Sequence, residues 1–245
     1  MGEPWLLIGL IFVAAIVYSS VGHAGASGYL AAMALVGVAP EVMRPAAMTL
    51  NILVASIGSI SFYRAGHFSW RTLWPFAAGS VPFAFIGGSV TLPGHVFRPL
   101  LGLVLIVAAV RMIVRISSGT DDDGVHPPRV GVAVASGAGI GLLSGLTGTG
   151  GGIFLSPLML IMRWAEVRKV AGTSVVFILV NSLSGLAGNV ARVQVLPTAV
   201  IGWAAAAVIG GAIGAYLGSR KLAPQSLRYL LALVLLIAAA KLILS

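Results

Sequence analysis

The 245-residue chain is 58% hydrophobic and 9% charged, where soluble domains carry roughly 25% charged residues, and its mean hydropathy is +1.04. So few charges cannot cover a soluble protein of this size, so lipid must do that. A net charge of +9 from 15 Lys+Arg and 6 Asp+Glu would suit nucleic acid in a soluble domain. Here the basic residues stand mostly between apolar runs, where topology and lipid headgroups account for them, and no nucleic-acid partner is expected. The absence of cysteine excludes disulfides, thiolate metal sites and thiol relays.

Met1-Gly2-Glu3-Pro4 lacks the basic region and small-residue cleavage site of a signal peptide, so the first apolar run, 4–21, is read as a retained membrane segment. It ends in a glycine-rich break, Gly22-His23-Ala24-Gly25-Ala26-Ser27-Gly28, followed by a short run, 28–38. Runs at 46–63, 72–92 and 97–115 complete a first set. Residues 116–129 form an acidic, turn-rich linker in which Asp121, Asp122 and Asp123 repel one another and stay wet. The second set reads 130–146, 153–162, 170–190, 198–218 and 226–244, and its break runs from Ser144 to Gly152. Most runs span a ~30 Å hydrocarbon core as helices, whereas 28–38 and 153–162 reach about half way. Trp5, Trp70, Trp74, Trp164 and Trp203 mostly fall near the expected interfaces, as aromatic belts do.

The two sets look duplicated. Residues 98–111 align with 228–241, with eight of fourteen positions identical, and Glu41, Arg44 and Gly25 align with Glu166, Lys169 and Gly150. The expected division is a first repeat at 1–115, the linker at 116–129 and a second repeat at 130–245. If each opening hairpin leaves on the side it entered, with the N-terminus outside, eleven Lys or Arg fall inside and four (Arg44, Arg98, Arg192, Lys241) outside. If only the short segment fails to cross, the split is seven against eight. The positive-inside bias therefore favours an odd number of crossings per repeat, which inverts the second copy. The expected fold is an all-α integral membrane protein with two inverted structural repeats. Each would hold a broken helix or hairpin followed by three transmembrane helices.

Neither break can continue a stable helix, since each Gly costs about 1 kcal/mol relative to Ala, and irregular backbone at membrane depth is tolerated only inside protein or along a cavity. The short helices begin near Gly28 and Ile153, and two such N-termini meeting near the midplane would bind an anion. Glycines at 79, 87, 88, 210, 211, 214 and 218 are assigned to close helix packing instead. No Asp or Glu lies inside an expected span, whereas cation transporters and proton pumps keep carboxylates there. An anionic substrate follows as an electrostatic preference. Candidate substrate-binding residues are Gly22, His23, Gly25, Ser27, Gly28, Thr49, Asn51, Gly148, Thr149, Gly150, Gly151, Gly152, Thr173, Ser174 and Asn181. Arg44 and Lys169 read either as local ion pairs with Glu41 and Glu166 or as vestibule charges. No metal ligands, cofactor or catalytic groups are indicated, and His23 is the only ionisable candidate at depth, so no enzymatic activity is expected.

Several fragments, in order and in both halves, resemble the sulfite exporter TauE/SafE (TSUP) family. They are Gly22-His23-Ala24-Gly25, Arg44-Pro45-Ala46-Ala47-Met48-Thr49-Leu50-Asn51, Tyr63-Arg64-Ala65-Gly66-His67, Gly148-Thr149-Gly150-Gly151-Gly152, Ser156-Pro157 and Arg168-Lys169-Val170-Ala171-Gly172-Thr173-Ser174. The resemblance covers essentially the whole chain. It implies a multi-pass transporter of a bacterial inner membrane exporting sulfite, sulfonate or sulfoacetate-type anions. The first break is less glycine-rich than the second, so the two halves of the site need not contribute equally. An anion channel of the same fold, or a carrier for a different small acid, stays open. So do the coupling ion and whether the protein forms a homo-oligomer.

Overall fold

A computed structural model describes residues 4–90, 124–189 and 196–223, together with 225–227, 229, 230, 232, 233 and 236. The helices are α1 (Pro4–Ser20), α2 (Ala26–Leu35), α3 (Pro40–Arg64), α4 (Trp70–Ser89), α5 (Val130–Thr147), α6 (Gly152–Ile161), α7 (Val167–Ala187) and α8 (Val200–Tyr216). A π-helical turn, Leu217–Lys221, extends α8. There is no strand among the described residues. The long–short–long–long order occurs twice, with boundaries within a few residues of the apolar runs, except that α3 begins earlier, at Pro40. The expected run 97–115, the aspartates 121–123, Arg98, Arg192, Arg228 and Lys241, and most of 226–244 lie outside the described residues.

Four helical stretches, Val42–Arg64, Val130–Thr147, Val167–Ala187 and Val200–Lys221, are long and apolar enough to cross a membrane. At ten residues each, α2 and α6 are about 15 Å long and reach half way. Large apolar side chains such as Ile60, Phe85, Ile201 and Ile209 are exposed on the outside of the bundle, where acyl chains would cover them. Trp5, Trp70 and Trp74 are exposed as a belt requires, but Trp164 and Trp203 are buried. Trp164 instead packs on Phe76, ring centroids 5.7 Å apart.

Glycine sets the packing. A Cβ at Gly137, Gly141 or Gly145 of α5 would overlap the carbonyl oxygens of Phe76, Ser80 and Ala84 of α4. The same spacing recurs where Gly210, Gly214 and Gly218 face the carbonyls of Phe12, Ile16 and Ser20. Such small-residue ladders let helix backbones touch. Gly79 and Gly87 likewise face the α5 backbone and Gly88 the backbone of Gly185, whereas Gly211 faces the Val54 side chain. Numbers rise together in both pairs, so α4 runs with α5 and α1 runs with α8. By contrast Asn51 meets Ser182 while Gly58 meets Val175, so α3 and α7 run in opposite directions.

Candidate functional site

Each break is a short run of left-handed backbone. Gly22 and Gly25 have φ of +78° and +105°, and Gly148, Gly150 and Gly151 have +75°, +77° and +81°. An L side chain rarely adopts these values, so glycine is needed for the chain to turn at these points. Gly148 ends α5 and Gly151 begins α6, which has no side-chain cap. At α2 the first amide is capped from another helix, since the Ala26 N–H donates to Asn51 Oδ1 at 3.1 Å.

The breaks converge on the middle of α3 and α7. Asn51 Nδ2 donates to Ser182 Oγ at 3.4 Å, and a Cβ on Gly150 would strike that same amide, Ser182 and Ile178. Asn51 therefore joins the start of α2 to the second break. His23 reaches the other way: its Nε2 lies 2.8 Å from Ser156 Oγ in α6, which lies 2.8 Å from Ser174 Oγ in α7. The His23 ring is also close to Gly152. His23, Asn51, Ser156, Ser174 and Ser182 are at most 2% exposed.

On α7, Thr173 Oγ1 and Asn181 Oδ1 are buried without a hydrogen-bond partner, while the His23 ring lies against Gly152. Asn181 spends its Nδ2 on the Phe177 carbonyl, 2.9 Å away in its own helix. A buried polar group left unsatisfied costs about 1–3 kcal/mol, so these atoms favour a ligand. Among the described residues the buried polar side chains are hydroxyls, amides and the His23 imidazole, with no carboxylate, and no three His, Asp or Glu gather as a metal site requires.

Other expected residues lie apart from this convergence. Thr49 Oγ1 donates to Pro45 O at 2.9 Å within its own helix, and Thr149 Oγ1 pairs with Thr147 Oγ1 at 2.8 Å. Gly22 packs on the Ala171 backbone, Gly28 on Ala14 and Tyr18, and Gly25 on the Tyr29 ring. Ser27 is buried at the start of α2.

Arg44 turns onto helix ends. It donates to the carbonyls of Gly87 (2.7 Å), Gly88 (2.9 Å) and Val90 (3.1 Å) at the end of α4, and to Gly145 O in α5. A cation at the negative end of the helix dipole is favourable. Its counterpart by geometry is Arg168, which donates to Leu222 O beyond α8 at 2.9 Å. The sequence alignment instead pointed to Lys169, which forms an exposed local pair with Glu166 at 3.5 Å. Ser156, known only from the Ser156-Pro157 fragment, and Ser182 join the site. Ser156 lies one helical turn after Gly152, a spacing that places it on the break's face, whereas no local signal marks Ser182.

A family model described as Sulfite exporter TauE/SafE matches residues 7–242. The chain is 42% identical over 235 residues, 95% of each chain, to "Probable membrane transporter protein y4hK" of Sinorhizobium fredii. It is 24% identical over 262 residues, 99% of this chain and all of the relative, to "Probable membrane transporter protein YjnA" of Bacillus subtilis. No solved structure matches.

Proposed function

The chain belongs to the sulfite exporter TauE/SafE family of membrane transporters, and from that premise we propose that it exports sulfite or a related sulfur-containing anion across a bacterial inner membrane by alternating access. The observation that carries this reading is the convergence of the two breaks. The uncapped start of α6 meets His23, Asn51, Ser156 and Ser182 in a buried region of hydroxyls, an amide and an imidazole, with no buried carboxylate among the described residues. Amide dipoles and hydroxyls there would replace part of an anion's hydration shell. The near-complete burial of these groups suits a carrier in a closed state better than an open pore.

An alternating mechanism needs two halves that rock on one another, and inverted repeats at 1–115 and 130–245 would supply them. Packing directions support that relation. Val54 meets Gly211 and Ser61 meets Ala215, so α3 runs with α8, and hence with the direction of entry of neither α7 nor α4. Because α4 follows α3 through the short turn 65–69 and runs with α5, each of the pairs α3/α7 and α4/α8 is antiparallel.

Counterflow of labelled sulfite in proteoliposomes tests the proposal. Saturable exchange, abolished in Gly150→Leu protein that still inserts, is expected. Non-saturating flux would point to a channel. Transport of another small acid but of no sulfur oxyanion, or unchanged sulfite flux in the variant, would overturn the reading.

A further inference from the structure

Between the breaks His23 is, among the described residues, the side chain that can gain a charge near neutral pH. The cation closest to the second break, Arg44, has its stem against Gly148 and gives its guanidinium to helix-end carbonyls. Both facts bear on how much negative charge the region accepts. The groups around His23 are all uncharged. From α1 comes Tyr18, whose carbonyl accepts the His23 N–H at 2.9 Å. From α2 comes Tyr29, whose hydroxyl donates to Ala24 O. The second repeat brings Ser156 and Ser174, and α3 brings Asn51. The cations on the elements packed around the breaks are directed elsewhere. Arg44 holds helix ends, and Arg168, one turn before the Ala171 that packs on Gly22, donates to Leu222 O. Lys169 pairs with Glu166, and Arg220 and Lys221 are exposed. Taking an ion out of water costs several kcal/mol even after relaxation, and the Born cost grows with the square of its charge. Amide dipoles and hydroxyls suit a monoanion. A dianion would need a counter-charge.

The hydroxyl chain can accommodate that counter-charge. With neutral imidazole, Ser156 donates to Nε2 and accepts from Ser174. With imidazolium, Nε2–H donates to Ser156, which donates to Ser174. Two O–H rotations therefore convert one state to the other with the His23–Ser156–Ser174 bonds intact. In both states Nδ1 carries a proton; what the second state adds is a positive charge on a ring that lies beside Gly152, at the start of α6, where an anion would sit.

Building on the anion-transport reading, we infer that this site accepts one net negative charge, taking a singly charged oxyanion directly and a doubly charged one only together with a proton on His23. That proton enters from the solution that supplies the dianion and leaves with it, so the translocated unit carries the same charge in both cases.

Calorimetry on the full chain in nanodiscs between pH 6 and 8 tests this, with methanesulfonate as the permanent monoanion and sulfate as the dianion. Methanesulfonate affinity should change less than about twofold. Sulfate affinity should fall about tenfold per pH unit, with close to one proton taken up as read from buffers of different ionisation enthalpy. In His23→Gln the sulfate slope should vanish while methanesulfonate still binds. Sulfate binding without proton uptake, no sulfate binding at any pH beside good methanesulfonate binding, or a slope that survives in His23→Gln would each overturn the inference. The wild-type comparison decides it even if the variant fails to fold. Failure of methanesulfonate, sulfate and sulfite alike to bind overturns the anion-transport reading itself.

Discussion

The two breaks occupy the same place in the element order yet are built differently. The first has two left-handed glycines, a histidine and a helix start capped by Asn51 from α3. The second has three left-handed glycines and a helix start without a side-chain cap. One break supplies side-chain chemistry and the other supplies bare backbone. The two breaks are thus complementary in chemistry, with His23 reaching from the first to α6 and Asn51 from α3 to α7.

The largest effect is expected at Gly150. A Leu there meets Ile178, Asn51 and Ser182 and must hold a left-handed φ, so sulfite counterflow should fall on the order of 100-fold, as misplacement of a site by about 1 Å can cause. Gly66 also has a left-handed φ, +76°, but faces open space. Gly66→Ala should lower stability by about 1 kcal/mol in a thermal melt and leave flux within twofold. Equal flux losses in the two variants would mean that backbone strain, rather than the site, is being read.

A second pair of substitutions separates capping from charge at Asn51. Asn51→Leu removes the acceptor for Ala26 N–H and should cost about 1 kcal/mol of stability. Asn51→Asp keeps that acceptor but puts a carboxylate beside the second break, so its KM for sulfite should rise about tenfold, near 1.4 kcal/mol, with a smaller drop in Tm.

At the helix ends, the expected losses run in order. Arg44→Ala removes several charged hydrogen bonds and should cost about 3 kcal/mol, Arg168→Ala with its bond to Leu222 about 1.5 kcal/mol, and Lys169→Ala in its exposed pair below about 0.5 kcal/mol. Chemical denaturation in mild detergent checks the ranking. A larger effect at Lys169 than at Arg168 would restore the pairing read from the sequence.

The smallest effect is expected at His67, in the turn after α3. Its Nε2 donates to Ser219 O at 3.1 Å, and partial burial, then the nearby Arg168, lower its pKa. The unfolded chain therefore holds the proton more tightly. His67 contributes stability present above the ordinary histidine pKa of about 6.5 and lost as pH falls through the lower folded value. Melts between pH 7.5 and 5 should show a slope that His67→Gln reduces.

Much of the helix order was legible because its causes are local. Apolar run length places the spans, and successive glycines place the breaks wherever helix propensity fails. The packing role of the ladder at Gly210, Gly214 and Gly218 was also legible, because Gly at every fourth position marks one helix face. The ladder at Gly137, Gly141 and Gly145 was not singled out, its last member being counted in the second break. Lys169 aligns with Arg44 in sequence and forms the local pair with Glu166 that was one of its two readings, whereas the residue that bonds a helix-end carbonyl as Arg44 does is its neighbour Arg168. An alignment reads residue type, whereas a helix rotates by about 100° per residue and only one of two adjacent side chains can face the end of α8. Two tryptophans expected at the interface are buried, because a position near a helix end does not reveal which face is covered.

Membrane residence, the repeated element order and the two breaks were determined by the sequence alone, since each depends on hydropathy and backbone freedom within a few residues. Which polar groups meet was decided only by tertiary structure. His23 and Ser156 are 133 positions apart and Asn51 and Ser182 are 131 apart. They meet because glycine ladders on α5 and α8 let four helices close around the crossing of α3 and α7, a packing outcome that no local pattern contains.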